Sequence, residues 1–237
     1  MSAERRCPPG SLLVSVIVPT FDEQEQLPAL LDHVEALPGA WEVILADGGS
    51  RDRTAAIAAQ RGVRVVVGGG GRAQQLNAAA ATASGELLLF LHADSRLPVD
   101  AHAAIASAAT ADASFVGGNF TLRFDGDDRF ARVLTAGYAL SRRFGVYYGD
   151  SSIWVRRAVF DRLGGYRDLP IMDDYDFVRR LERSGPTACL PGPATTSDRR
   201  WRAMGAERTL LTWWLIRLAF LAGVSPARLA RLYRRVR

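Results

Sequence analysis

The chain contains no lysine: all 30 of its basic residues are arginine. Among 237 residues there are only two cysteines, three histidines and three methionines. Cys7 and Cys189 stand far apart in no metal-like spacing, which excludes a disulfide framework and a paired-cysteine zinc site. No apolar run of signal-peptide length precedes Ser15, so no targeting segment is expected there. No linker, internal repeat or low-complexity stretch divides the sequence. What is present is ordinary for a soluble globular protein. The chain is 48% hydrophobic and 23% charged, too apolar for disorder. It is long enough to bury a sizeable core unaided.

The missing lysines, beside many alanines, read as a genome-composition bias with no chemical consequence. The arginine excess matters more, at a formal charge of +5 and a pI of about 9.7. Such a balance suggests nucleic acid or an anionic surface. Its distribution disfavours the first. Residues 1–198 carry 20 arginines against 24 acids, whereas residues 199–237 carry ten against one, Glu207. The body is mildly acidic and the surplus belongs to the tail. No nucleic-acid reading module accompanies those arginines, so nucleic acid is not an expected partner.

The first half alternates strand and helix. Strands are predicted at 14–18, 41–46, 63–67 and 86–91, and helices at 25–37, 52–61, 72–83 and 98–109. Fully apolar strands alternating with helices predict an α/β fold with a mainly parallel sheet covered on both faces. In such sheets the ligand sits beyond the carboxyl ends of the strands. Those ends carry Thr20 and Asp22, then Asp47, then glycines 68–71 with Arg72, then His92 and Asp94. After residue 110 the pattern changes, with strands at 115–124, 153–155 and 188–190 and helices at 127–143 and 173–184. The glycine run sits between strand and helix, as phosphate binding requires. It follows the third strand, however. The first strand ends in Pro19-Thr20-Phe21-Asp22-Glu23 with no glycine, which disfavours a nicotinamide-dependent oxidoreductase.

An ordered series of segments, from Val16 to Trp201, resembles family 2 glycosyltransferases. Val16 to Glu23 (VIVPTFDE) is similar to their opening strand, proline and acidic pair. Val43 to Thr54 (VILADGGSRDRT) resembles their VVDGGSTDGT segment, and Leu89 to Ser95 (LFLHADS) the FLHADT version of their DxD segment. Tyr148-Gly149-Asp150, Gly164-Gly165-Tyr166 and Met172-Asp173-Asp174 resemble acceptor-side segments in the same order. Arg199-Arg200-Trp201 is similar to a late RRW. The subgroup with HAD and YGD motifs looks like small bacterial enzymes.

This resemblance implies a GT-A fold, a Rossmann-like, mainly parallel sheet flanked by helices. A nucleotide-sugar half would span about 14–110 and an acceptor half about 111–198. A basic amphipathic helical tail would follow at 199–237. The implied reaction moves a sugar, with inversion, from a UDP- or GDP-type nucleotide-diphosphate sugar to an acceptor hydroxyl. By the same resemblance Pro19, Thr20, Asp22, Glu23, Asp47, Gly48, Arg72, Gln75, Asn77, His92 and Ala93 bind the nucleotide sugar. Asp94, with His92, holds a divalent cation, Mg2+ or Mn2+. Tyr148, Gly149, Asp150, Arg200 and Trp201 line the acceptor or donor-sugar pocket. Asp174, with Asp173 beside it, is the catalytic base.

The residue chemistry is compatible, with bland alternatives open. A carboxylate at a strand end accepts from a nucleobase N–H or ribose hydroxyl, but Asp47 in Asp-Gly-Gly-Ser also suits a turn. Asp52 reads as an N-cap. Arg72 suits bidentate contacts to phosphate or carboxylate, or a solvated helix start. Mg2+ typically takes one or two carboxylates plus substrate phosphates, which Asp94 can begin. His92 departs from the family aspartate. Its imidazole suits Mn2+ better than Mg2+, or serves as a hydrogen-bonding group near the nucleotide. Asp173 beside Asp174 raises a working pKa, as suits a base, though both also fit a helix first turn. Ser197 stands where the family has glutamine before Arg200 and Trp201.

The tail holds an apolar stretch, 210–224, interrupted by Arg217 and shorter than the roughly twenty residues of a spanning helix. Trp213 and Trp214 with nearby arginines suit an interfacial helix, a helix packed on the domain, or a homodimer contact. A final helix follows Pro226, with Arg228, Arg231, Arg234 and Arg235. The expected enzyme is cytoplasmic, peripheral on the inner face of the membrane, with a lipid-linked acceptor. The alternative is a non-catalytic scaffold on the same fold that uses its tail at membranes.

Overall fold

A computed structural model describes residues 12–126, 128–197 and 205–236. The first half runs β1 (Val14–Thr20), α1 (Leu27–Ala36), β2 (Trp41–Asp47), α2 (Thr54–Gln60), β3 (Arg64–Val67), α3 (Arg72–Thr82) and β4 (Leu87–Phe90). Next come β5 (Ser95–Arg96), α4 (Ala101–Ala111), β6 (Gly117–Phe124) and α5 (Arg129–Arg142). A 3-10 turn (Gly149–Ser151), β7 (Ile153–Arg156), α6 (Arg157–Arg162), α7 (Asp173–Ser184) and β8 (Thr187–Thr196) complete the body. Two helices, α8 (Ala206–Leu221) and α9 (Pro226–Val236), form the tail.

The strands make one eight-stranded sheet in the order β3-β2-β1-β4-β7-β6-β8-β5. β1 pairs in parallel with β2 and β4, and β2 with β3. β7 is antiparallel to both β4 and β6, and β8 is parallel to β6 but antiparallel to β5. The apolar strands are apolar because both faces are covered. Val14, Val16 and Val18 join one core layer with α1 and α4, while Ile17 joins the other with α3 and α7. Each such side chain, fully buried, contributes about 1.5–3 kcal/mol.

Four elements depart from the predicted pattern. β8 runs the full 187–196, through Pro191-Gly192-Pro193. Its pairing with β6 jumps from Phe120–Leu190 to Leu122–Ala194, and the irregularity accommodates residues that cannot keep a regular ladder. α6 and β5 are too short to carry a periodic signal. The tail is amphipathic only in α9, where Leu229 and Ala230 are buried and Arg228 and Arg231 exposed. α8 is instead apolar on both faces. Its Trp213 packs on the cluster of Leu122, Phe124, Ala131 and Leu134. Its Phe220 meets Tyr175 at 6.0 Å between ring centres. No helix among the described residues is long and apolar enough to cross a membrane.

Candidate active site

The sheet opens where its winding reverses. From β1 the chain steps to β2 and β3 on one side, then returns to β4 on the other. β1 and β4 are paired only as far as Ile17–Phe90, while β1 stays with β2 to Thr20–Asp47. Beyond Ile17 the two strands part, so Pro19 owes β4 no N–H. This is the switch-point crevice in which such sheets bind ligands. A cleft of about 320 Å³ lies there. It is lined by Pro19, Thr20, Phe21 and Glu23 after β1, by Arg72 and Gln75 of α3, and by His92, Ala93 and Asp94 after β4. Asp150, Phe124, Thr196, Ser197 and Trp213 close its other side.

Asp47 and Asp22 build the walls behind the cleft. Asp47 is 2% exposed. Its Oδ2 accepts from the N–H groups of Gly49 and Ser50 at 3.1 and 2.9 Å. Thr20, its register partner, donates its hydroxyl to Oδ1 at 3.3 Å. Asp22, in the left-handed region at φ +54°, accepts the Arg51 N–H at 2.7 Å. Asp52 accepts the Thr54 N–H at 2.8 Å, at the start of α2. These acids stitch the loops after β1 and β2 together, and neither Asp22 nor Asp47 is among the lining residues. Gly48 stands against Gln75, since a Cβ there would meet the Gln75 Nε2 at 2.6 Å. Asn77 is not at the cleft. Its amide donates to the Tyr166 carbonyl at 2.8 Å and accepts the Tyr166 N–H at 2.9 Å, which fixes the loop after α6.

An ion-paired acid pair lies behind Arg72. The glycine run turns the chain into α3, with Gly71 at φ +145°, and places Arg72 at the first helical position. Its Nε donates to Asp173 Oδ2 at 2.9 Å and its Nη2 to Asp173 Oδ1 at 2.6 Å. The same Nη2 stands 3.5 Å from Asp174 Oδ2. Asp174 also accepts from the Gly149 N–H at 3.0 Å and from the Tyr175 N–H at 2.8 Å. The expectation that Asp173 raises Asp174 is overturned. Burial lifts Asp173 above the usual carboxylate range despite Arg72, and the Asp174 charge adds to the lift. At Asp174 burial acts upward too, but Arg72 and the two N–H donors outweigh it and hold it below that range.

Gly149 joins this pair to the cleft. A Cβ at Gly149 would lie 3.1 Å from His92 Nε2 and 3.3 Å from Asp174 Oδ2. His92, which lines the cleft, and Asp174 therefore meet over one glycine. Tyr148 stacks on Tyr175 with ring centres 5.5 Å apart. Burial pushes the Tyr148 hydroxyl up to about 12, so it stays protonated. On the other side of Asp94, the Ser95 hydroxyl donates to Thr196 Oγ1 at 3.1 Å, and β5 pairs with the end of β8. That short ladder anchors the turn carrying His92 and Asp94. Among the described residues no three His, Cys, Asp or Glu gather as a self-sufficient metal site. One carboxylate and one imidazole at an open cleft nevertheless fit a cation that draws its remaining ligands from phosphate and water.

Arg200 and Trp201 lie outside the described residues. Phe21, Phe124, Thr196, Ser197 and Trp213 also line the cleft and are not among the site residues expected from the sequence. Thr196 and Phe124 end strands that run to the cleft, which is a usable signal. Trp213 comes from a helix more than sixty residues beyond Asp150 and had none.

The family model described as "Glycosyl transferase family 2" matches residues 15–167. The chain belongs to glycosyl transferase family 2. An undecaprenyl-phosphate 4-deoxy-4-formamido-L-arabinose transferase of Aeromonas hydrophila is 30% identical over 159 residues, 61% of this family 2 chain and 48% of that protein. The chain spans less than half the length of the curated relatives it matches. Among solved structures, Staphylococcus aureus TarS 1–349 in complex with UDP-GlcNAc superposes with a TM-score of 0.62 at 16% identity, covering 79% of this chain and 59% of that one. The mannosyltransferase PcManGT of Pyrobaculum calidifontis, in complex with GDP-Man and Mn2+, has a TM-score of 0.61 at 22% identity, covering 90% and 62%. The fold is that of the GT-A glycosyltransferases.

Proposed function

We propose that this chain transfers a sugar from a UDP- or GDP-type nucleotide-diphosphate sugar to an acceptor hydroxyl, with inversion at the transferred carbon. One observation carries the reading. Arg72, His92 and Asp94 line a single cleft at the β1–β4 opening, with Asp174 touching the same place through Gly149. The crevice fits the nucleotide, with Thr20, Glu23 and Gln75 facing it. Asp94 with His92 would hold Mg2+ or Mn2+, which when bound offsets charge on the departing diphosphate. The part of Arg72 not taken up by Asp173 lies at the cleft and adds positive charge there. Asp174, ionised at neutral pH, accepts the acceptor proton. Asp173 holds Arg72 in place. Inversion in a single displacement needs one base and no covalent nucleophile.

The ligands of the two structural neighbours, UDP-GlcNAc in one and GDP-Man with Mn2+ in the other, support the donor class and the cation. The relative named for undecaprenyl phosphate supports a lipid-linked acceptor, beside the aromatic wall of Phe124 and Trp213. The test is titration of UDP and GDP into the protein with and without Mn2+, followed by transfer from their sugars to a polyprenyl phosphate. Binding that needs the cation and is lost in Asp94→Asn supports the reading. No nucleotide binding under any of these conditions overturns it.

A further inference from the structure

α8 has more apolar surface than the described residues cover. Its inner face, with Thr209 and Ile216 buried, packs on the acceptor half. Its outer face exposes Leu211, Trp214, Leu215 and Leu218, with Trp214 59% exposed. A helix apolar all round is normally buried, so this face calls for a partner. α5, which meets α8 where Trp213 packs beside Leu134, has a similar face. Val133, Leu140 and Phe144 are exposed on it and just after it, Phe144 at 78%.

The charge on these helices is predominantly positive, with Asp128 at the start of α5 and Glu207 at the start of α8 the acids beside them among the described residues. α5 and α9 contain no acid, and α8 contains only Glu207. Arg129 and Arg132 on α5, Arg208 on α8, and Arg228 and Arg231 on α9 are exposed. Apolar side chains with a tryptophan, bordered by arginine and almost free of acid, match an anionic lipid surface. An ordinary protein partner or second copy would have to bring a compensating acidic rim. Residues 1–198 hold an excess of only four acids over arginines.

We propose that the outer faces of α8 and α5 dock on an anionic bilayer. The inner face of α8 carries Trp213, a wall of the cleft, so docking brings the cleft to the lipid surface. This deepens the reading of a lipid-linked acceptor, but the docking itself requires no turnover.

The test is flotation of the full chain with vesicles of phosphatidylcholine, with and without one-third phosphatidylglycerol. Each arginine near an anionic leaflet strengthens binding about fivefold, so the anionic vesicles should bind at least about tenfold more tightly. The difference should shrink when salt rises from about 0.1 to 0.5 M. The variant Leu211→Gln/Leu215→Gln/Leu218→Gln, with its melting curve as the check on folding, should lose vesicle binding at least about tenfold. Asp94→Asn should bind vesicles like the parent, which separates this proposal from the catalytic one. Absence of binding, or equal binding to both vesicle types, overturns it. So does a stable dimer that the glutamine variant splits while the parent ignores vesicles. If the glutamine variant does not fold, the dependence of the parent on lipid charge and salt decides.

Discussion

Replacing Arg72 by alanine should leave two adjacent buried carboxylates without their cation. Asp173 is 3% exposed, and Arg72 binds it through two hydrogen bonds while reaching Asp174 at 3.5 Å. Removing one partner of a buried pair costs about 3–5 kcal/mol. The Arg72 side chain is 38% exposed, so solvent already screens part of the interaction and the expected loss is about 2–3 kcal/mol. For a chain of this size that lowers Tm by roughly 5–10 °C. The loss should depend on pH. Arg72 lowers the pKa of both acids, so without it both rise. A buried acid whose folded pKa exceeds its unfolded value binds more protons when folded. Stability then falls as pH rises through the window between the two values. Arg72→Ala should therefore recover stability as pH drops from 8 toward 5. In the parent, Asp174 loses its stabilising contribution only as pH falls below about 3.9. Adding Asp173→Asn should restore about 1–2 kcal/mol by removing the stranded charge. Melting curves from about pH 3 to 8 check the parent and both variants. An Arg72→Ala protein that parallels the parent at every pH would refute the ion-pair account.

Gly149→Ala places a methyl against both His92 and Asp174. It should cut transfer about a hundredfold through misplacement while moving Tm little, measured by initial rates beside a melting curve. Asp174→Asn should lower kcat by about 10²–10⁴ with donor binding retained, as seen in turnover and nucleotide titration. A loss confined to Asp173→Asn would reassign the base. Trp213→Ala should raise the KM for acceptor more than that for donor, since Trp213 closes the cleft opposite Arg72 and Gln75. Equal changes in both would place it outside the acceptor side.

The β1–β4 half was legible because its strands are buried on both faces and its helices carry regular apolar spacing. The site was legible where it sits at strand ends: Thr20, Glu23, Arg72, His92 and Asp94 all reach the cleft. Asp22, Asp47 and Asn77 are equally polar but turn their side chains to backbone groups of neighbouring loops: Asp22 to Arg51, Asp47 to Gly49 and Ser50, and Asn77 to Tyr166. No local pattern distinguishes a carboxylate turned to a ligand from one that accepts neighbouring N–H groups.

Sequence by itself determined the alternation of elements, the family motifs and the split of charge between body and tail, all of which are local or compositional. Tertiary structure decided which acid of the Asp173–Asp174 pair is lifted and which is lowered. That depends on Arg72, about a hundred residues away in the chain, and on the Gly149 N–H. It also decided that α8 is half wall and half open surface. Its sequence is apolar on both faces, and only packing against β6, α5 and α7 covers one of them.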